Sequence, residues 1–485
     1  MDLFHISRNS PIINYKPTPF STFALSVINN SMSKQEQNVR ELEFERIPKL
    51  LWKYFLPAFA GLIINSLYNI VDRIFIGHGV GALALSGLSA VFPIMIIMMA
   101  FGMLIGMGAG VRVSLNLGKK DFKRAEKVLG NAFVLMIIVA LLITLLGFVI
   151  KDPLLRFFGV NDETFGYANE YLNIILFGSI FNIVGYSLNN LIRSEGSAKV
   201  AMISMLISAG LNLILDPIFI FVLDMGVAGA AYATVLSQVA LCVWVIVHFR
   251  GPRSVIRLRM RNFILKKDII WYILTIGFAP FSMQMASSIV FGTFNVQLVK
   301  YGGDLAVGAM GVIMSVALLL VMTVIAINMA AQPIIGFNFG SKNYSRVKQT
   351  LVISLIFATI ISIAGFTVSE LFPRTIIKAF NNDSQALLDI GTRGLRLFVL
   401  ALPLVGFQII VGNYFQSTGK AGLSALLSLL RQVIVLLPVL MILPRYIGLD
   451  GIWLASPIAD TISALITSVF LIRELKRLNR AIDFA

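Results

Sequence analysis

Four side chains in the first half of the chain have the chemistry to bind an ion inside a membrane. Asp72 lies in the apolar run NSLYNIVDRIFIG, Asn212 and Asp216 lie in LNLILDPIFIF, and Thr234 lies in a third apolar stretch. A charged side chain inside a span costs roughly 2.5–3.5 kcal/mol on insertion scales, so each one is a functional candidate. Asn212 and Asp216 are one helical turn apart and share a face. Asn65, Asn69 and Asp72, at i, i+4 and i+7, share another and form a supporting polar face. At 1.5 Å per residue, Asp72 sits about 6 Å, Thr234 about 8 Å and Asp216 about 10 Å below the same membrane surface. If the spans bring these groups together, they form a polar pocket with two carboxyl groups. Two carboxylates in a low dielectric cannot both stay ionised and unpaired; either one takes a proton or a cation sits between them. The oxygen-only set of two carboxylates, an amide and a hydroxyl suits Na+ as well as it suits H+. The competing reading is an acid neutralised by an adjacent arginine, such as Arg73 for Asp72. The second-half counterparts of Asn65, Asn69 and Asp72 are Ser288, Gly292 and Asn295, none of which titrates, so the coupling site is expected in the first half alone.

The elements that position these groups must be membrane helices. The 485 residues are 57% hydrophobic and only 13% charged, and the mean hydropathy is +0.85. A soluble core cannot absorb that much apolar surface. Twelve apolar segments reach the ~20 residues a helix needs to cross the bilayer core. They lie near 50–76, 86–113, 128–150, 168–192, 199–223, 229–249, 271–299, 306–337, 350–372, 394–416, 424–444 and 452–473. The reading is an all-α integral membrane protein. The loops between even and odd spans, with the C-terminal cluster, hold 22 Lys and Arg against 7 in the opposite loops. That asymmetry places both termini in the cytoplasm. It also accounts for the net charge of +16 without a nucleic-acid partner.

The two halves repeat. SLNLGKKDFKRAEK at 114–127 aligns with GFNFGSKNYSRVKQ at 336–349, NNLIRSEG at 189–196 with GNYFQSTG at 412–419, and Pro57 with Pro280. Two copies of six spans enter from the same side, so their pseudo-twofold axis runs along the membrane normal. The expected division is a tail at 1–47, partly disordered, a first lobe at 48–249, a basic linker at 250–270, a second lobe at 271–475 and a tail at 476–485. Met32 opens a run that reads as an ordinary start, so removing residues 1–31 is expected to leave activity intact.

Other intramembrane polar groups carry less weight. Arg431, in span 11, is near enough to the cytoplasmic end to snorkel, and Asp460 lies in span 12. Glu195 and Glu370 sit at span ends, where solvation suggests structural roles. Pro57 frees a backbone carbonyl in span 1 and is a candidate hinge. No catalytic residue, resident metal or cofactor is expected. The three histidines are scattered, and no GxxxxGK[ST] loop is present for ATP. Cys242, the sole cysteine, cannot form an internal disulfide.

IVDRIFIGHGVGALALSGLSAVFPI (70–94), LNLILDPIFIFVLDMGVAGAAYATVLSQ (211–238), AAQPIIGFNFGSKNYSRVKQ (330–349) and LLRQVIVLLPVLMILPRYIGLDGIWLASPIAD (429–460) together resemble the multidrug and toxic compound extrusion family over residues 48–475. The resemblance implies two pseudo-symmetric six-helix lobes around a central cavity. It also implies a monomeric inner-membrane antiporter that exports amphipathic, often cationic, drugs and toxic compounds in exchange for H+ or Na+. In the branch with the cation site in the N-lobe, that site is an Asp in span 1, an Asn and Asp in span 5 and a Thr in span 6; Asp72, Asn212, Asp216 and Thr234 match it. Pro57 matches a span-1 proline at which that helix is thought to bend. The alternative within the same superfamily is a flippase for lipid-linked oligosaccharides, whose cavities tend to be more basic.

Overall fold

Long apolar runs without access to water must satisfy their backbone internally, and the chain does so as helices. The computed structural model describes residues 40–158, 160–380 and 385–483, except the side chains at 65, 68–70, 73, 77, 82, 85, 86, 89, 90, 304 and 380. The proposed early start and the segment before Met32 lie outside the described residues. The N-lobe helices are α1 (Ile47–Gly79), α2 (Ala82–Gly118), α3 (Phe122–Phe157), α4 (Asp162–Ser194), α5 (Ala198–Val222) and α6 (Gly226–Arg250). The C-lobe helices are α7 (Lys267–Gly303), α8 (Leu305–Gly340), α9 (Tyr344–Leu371), α10 (Gln385–Val399 and Leu402–Ser417), α11 (Ala421–Ile447) and α12 (Leu449–Asp483). Eleven described helices are long and apolar enough to cross a bilayer, and the bent pair α10 makes twelve.

Helix α10 departs from the unbroken span expected at 394–416. It bends by 45° between Val399 and Leu402. Pro403, in the first turn of the second half, explains the break, because it offers no N–H to the carbonyl of Val399. The outer faces of the bundle are apolar, as lipid requires: Leu141, Leu145 and Val149 on α3 and Leu465 and Ile472 on α12 are all exposed.

The duplication is visible in the backbone. Lys120 (φ 60°) and Lys342 (φ 62°) adopt the same left-handed turn. Each turn is followed by a helix whose N-cap side chain accepts from the arginine amide three residues on, Asp121 from Arg124 at 2.9 Å and Asn343 from Arg346 at 3.3 Å. Gly81 with Gly303, Gly196 with Gly419, and Gly226 with Gly448 repeat the positive φ at matching loops.

The buried core has three parts. One cluster, at the end of the bundle that carries the basic loops, draws on both lobes and includes Tyr54, Ile105, Phe249, Phe337 and Tyr414. At the opposite end each lobe has its own cluster, one around Ile76, Val91 and Tyr171 and the other around Leu298, Ile313 and Trp453. The lobes are thus joined at the basic end and separately packed beyond it. The seam is built on glycines. A Cβ at Gly277 would lie 1.7 Å from the carbonyl oxygen of Leu104, and one at Gly108 would lie 2.0 Å from that of Ile273. The pseudo-twofold mates Gly118 and Gly340 similarly meet the carbonyls of Phe337 (1.9 Å) and Leu115 (2.2 Å). Phe101 and Phe281, with centroids 5.0 Å apart, and Ser66 with Met322 (3.2 Å) continue the seam toward mid-membrane.

Residues 40–46, placed in the tail by sequence, bridge this seam. Leu42 is buried. Asn338 Nδ2 and an Arg346 amino group donate to the Leu42 carbonyl at 3.2 Å each, and Arg346 also donates to the Glu45 carbonyl at 2.7 Å. From the other lobe, Lys120 pairs with Glu43 at 3.3 Å.

The basic linker is likewise bound rather than free. Glu195, expected to be solvated at a span end, is fully buried beneath it. Its carboxylate accepts from Ser254 Oγ at 2.7 Å and from the amides of Val255 (3.0 Å) and Ile256 (3.3 Å), and it contacts His248 Nε2 at 2.6 Å. Burial of a carboxylate is tolerated here because several donors converge on it. Glu195→Ala would strand those donors, so it is expected to cost about 3 kcal/mol of stability. It should lower the melting temperature in detergent and speed tryptic cleavage within 251–266; wild-type behaviour in both assays would show the hub to be dispensable.

Candidate functional site

The N-lobe acids come from two helices that pack side by side, α1 and α5. Asp216 is buried on the last turn before Pro217, where α5 widens into a π turn at Ile218–Val222. Such turns are frequent at functional sites because they re-aim side chains. Asn212, also buried, lies one turn earlier, and its Nδ2 donates to Asp216 Oδ1 at 3.1 Å. On the other side, the carboxyl of Asp216 is within hydrogen-bonding reach of that of half-buried Asp72 on α1. A hydrogen bond between two carboxyl oxygens requires a proton on one of them. The Asn212 amide oxygen is buried and has no hydrogen-bond partner among the described residues, which leaves it available to a cation as a third oxygen ligand.

The structure therefore brings Asp72, Asn212 and Asp216 together. Thr234 is buried on α6, which packs against α5, but among the described residues no hydrogen bond joins it to the trio. The side chains of Asn65, Asn69 and Arg73 lie outside the described residues, so neither the extended polar face nor the Asp72–Arg73 pairing is placed. Pro57 is inside α1, which runs as one helix from Ile47 to Gly79. In the C-lobe, Ser288, Gly292 and Asn295 occupy the matching stretch of α7; the Ser288 hydroxyl is buried without a partner among the described residues, and Gly292 faces open space.

Two further intramembrane charges meet in the C-lobe. Arg431 Nε is ion-paired to Asp460 Oδ1. Arg431 lies on a π turn of α11, Leu430–Leu436, and α12 carries Asp460. Arg431 is thus held inside the bundle by a partner rather than reaching for the surface. Nothing local in the sequence marks Arg431 and Asp460 as a pair, and Arg112 on α2 is a further half-buried arginine that the apolar pattern around it conceals. The Arg112 guanidinium lies 4.1 Å from the centre of the Tyr272 ring, across the interlobe seam. The signal was an arginine in the last turn of an apolar segment.

Comparison with known proteins agrees with this architecture. The family model described as MatE matches residues 57–218 and 277–442, one block in each lobe. The multidrug export protein MepA of Staphylococcus aureus (strain MRSA252) is 29% identical over 440 residues, which is 89% of this chain and 96% of that protein. A solved structure of a multidrug resistance MATE family transporter of the MOP superfamily, in its outward-facing conformation, matches with a TM-score of 0.85 at 25% identity, covering 91% of this chain and 98% of that one. A crystal structure of MATE in the bent conformation matches with a TM-score of 0.86 at 25% identity over the same shares. With both lobes matched in order and the repeat preserved in the backbone, the chain belongs to the MatE family.

Proposed function

We propose that this protein is a secondary active multidrug exporter. It expels amphipathic, often cationic, toxic compounds from the cell in exchange for H+ or Na+ taken up at Asp72 and Asp216. The observation that carries this reading is the approach of those two carboxyl groups inside one lobe, with the Asn212 amide fixed to one of them. The homologous protein named for multidrug export supports the substrate class. The loop charges support a basic end in the cytoplasm with both termini inside; membership of the family supports an inner-membrane location and a single chain as the working unit.

The geometry supports one course of events. The basic end is sealed and the far halves of the lobes pack separately, which supports a form that opens on the outer side. Entry of H+ or Na+ neutralises the pocket and removes the negative charge that favours a cationic substrate. Helix α1 then rearranges, and Pro57, which leaves the Lys53 carbonyl without its helical donor, is where it yields most easily. A homologue solved in a bent conformation is consistent with such a step. Return to the inward-open form requires the glycine seam to part.

The test is ethidium efflux from loaded vesicles with pH and Na+ gradients imposed separately. One gradient is expected to drive extrusion by itself, and it names the coupling ion. Extrusion that ignores both gradients would rule out ion-coupled export.

A further inference from the structure

A cavity of about 350 Å³ lies inside the C-lobe, walled by Phe291, Phe294, Met314 and Phe398 and edged by Arg431 and Asp460. That volume is within the range of sites for drug-sized molecules. Its place in the fold is informative. The cavity lines α7 at 287–294, α11 at 431–436 and α12 at 456–460. These are the pseudo-twofold counterparts, about 222 residues on, of the stretches of α1, α5 and α6 that hold Asp72, Asn212 and Thr234, with Asp216 just beyond the α5 stretch. The corresponding stretches of the two lobes thus carry opposite charge chemistry. The N-lobe carries two acids, whereas the C-lobe cavity is edged by a guanidinium whose one hydrogen-bonded nitrogen among the described residues is Nε, to Asp460.

We propose that this cavity is a second ligand site and that it takes planar aromatic compounds bearing a carboxylate. Asp460, nearly buried, uses an oxygen to hold Nε and so fixes the plane of the guanidinium. The two terminal amino groups of Arg431, which lines the cavity, have no hydrogen-bond partner among the described residues. A planar fork of this kind matches a carboxylate with two parallel hydrogen bonds, a geometry an ammonium cannot reproduce. The three phenylalanines supply faces and edges for an aromatic ring. Gln432, beside Arg431 on the π turn, accepts from Ser287 on α7 at 3.1 Å and ties the two walls together. A purely cationic compound meets no free acid here, because the Asp460 charge is engaged. The N-lobe acids and the C-lobe guanidinium therefore sort substrates by charge between the lobes. This site deepens the export function proposed above and rests on it for its purpose, although its occupancy can be measured without transport.

The experiment uses purified full-length protein in detergent and two fluorescent probes, norfloxacin and its methyl ester. The wild type is expected to bind the free acid about tenfold more tightly than the ester, the size of effect a charge-assisted hydrogen-bonded pair supplies. The double variant Arg431→Met/Asp460→Leu removes the pair together, a change buried ion pairs commonly tolerate, and should bind both probes equally. If that variant fails to fold, Arg431→Lys serves instead. It keeps the charge beside Asp460 but lacks the fork, and should shrink the preference several-fold with the ester affinity unchanged. A wild type with no preference for the acid, or a variant that retains the full preference, would overturn the assignment. Loss of ion-driven efflux in vesicles with the acid preference intact would count against the export function and leave the site standing.

Discussion

Asp216→Asn is expected to reduce ion-driven drug efflux by at least about tenfold, a coupling loss of ordinary size, while the protein still inserts and folds. Asparagine keeps the shape of the side chain, and its amide oxygen can still accept from Asn212 Nδ2, as the Asp216 oxygen does at 3.1 Å. What disappears is the capacity to change charge. Asp72→Asn removes the same capacity from the other side of the contact and is expected to have the same effect. If the two acids share one proton or one cation, as proposed, the double variant should be no worse than either single variant. Efflux should be followed as ethidium leaving loaded vesicles, with protein content and melting temperature measured alongside. Full efflux in either single variant, or losses that multiply in the double variant, would refute a shared site.

The second large effect lies at the interlobe seam. Gly277→Val should hold the basic end open. The added Cβ would sit 1.7 Å from the Leu104 carbonyl oxygen and 2.6 Å from its carbon, and both atoms are backbone that no rotamer change can move away. Overpacking at such a contact typically costs 1–3 kcal/mol, enough to shift a two-state balance by about 5- to 150-fold. The cost falls on the sealed form, in which Gly277 touches Leu104. Cys242 is the only cysteine and is buried, so a Cys242→Ser background allows clean labelling. Spin labels at Lys123 and Ser345, exposed pseudo-twofold mates on α3 and α9, should report a longer distance in the variant, together with slower efflux. An unchanged distance distribution and wild-type efflux would show that the seam tolerates the side chain.

Some of this was open to reading from the residues alone, for definite physical reasons. Lipid leaves helices as the only economical solution for long apolar runs, so the span number follows from length and hydropathy. A duplicated half betrays itself when Gly118 and Gly340, or Lys120 and Lys342, recur at a constant offset. Intramembrane charge is expensive, so Asp72, Asp216, Arg431 and Asp460 stand out. Which of them meet depends on helix rotation and packing. Arg431 and Asp460 are 29 residues apart on different helices, and no local pattern ties them together. The C-lobe cavity was hidden because its phenylalanines are of the same type as those facing lipid. Glu195 looked solvated because the linker that folds back over it is far along the chain. The break in α10 was legible in principle from Pro403, but a proline within an apolar run kinks some helices and interrupts others.

The most direct test of the central claim, that the Asp72–Asp216 pair changes charge state in each cycle, is the ethidium affinity of the purified protein as a function of pH and of Na+. Linkage requires that an ion which expels the substrate also weakens its binding at equilibrium. The dissociation constant of the wild type should rise as pH falls, or as Na+ is added, and that dependence should vanish in Asp72→Asn/Asp216→Asn. A wild-type affinity indifferent to both ions, or a double variant that keeps the full dependence, would contradict it.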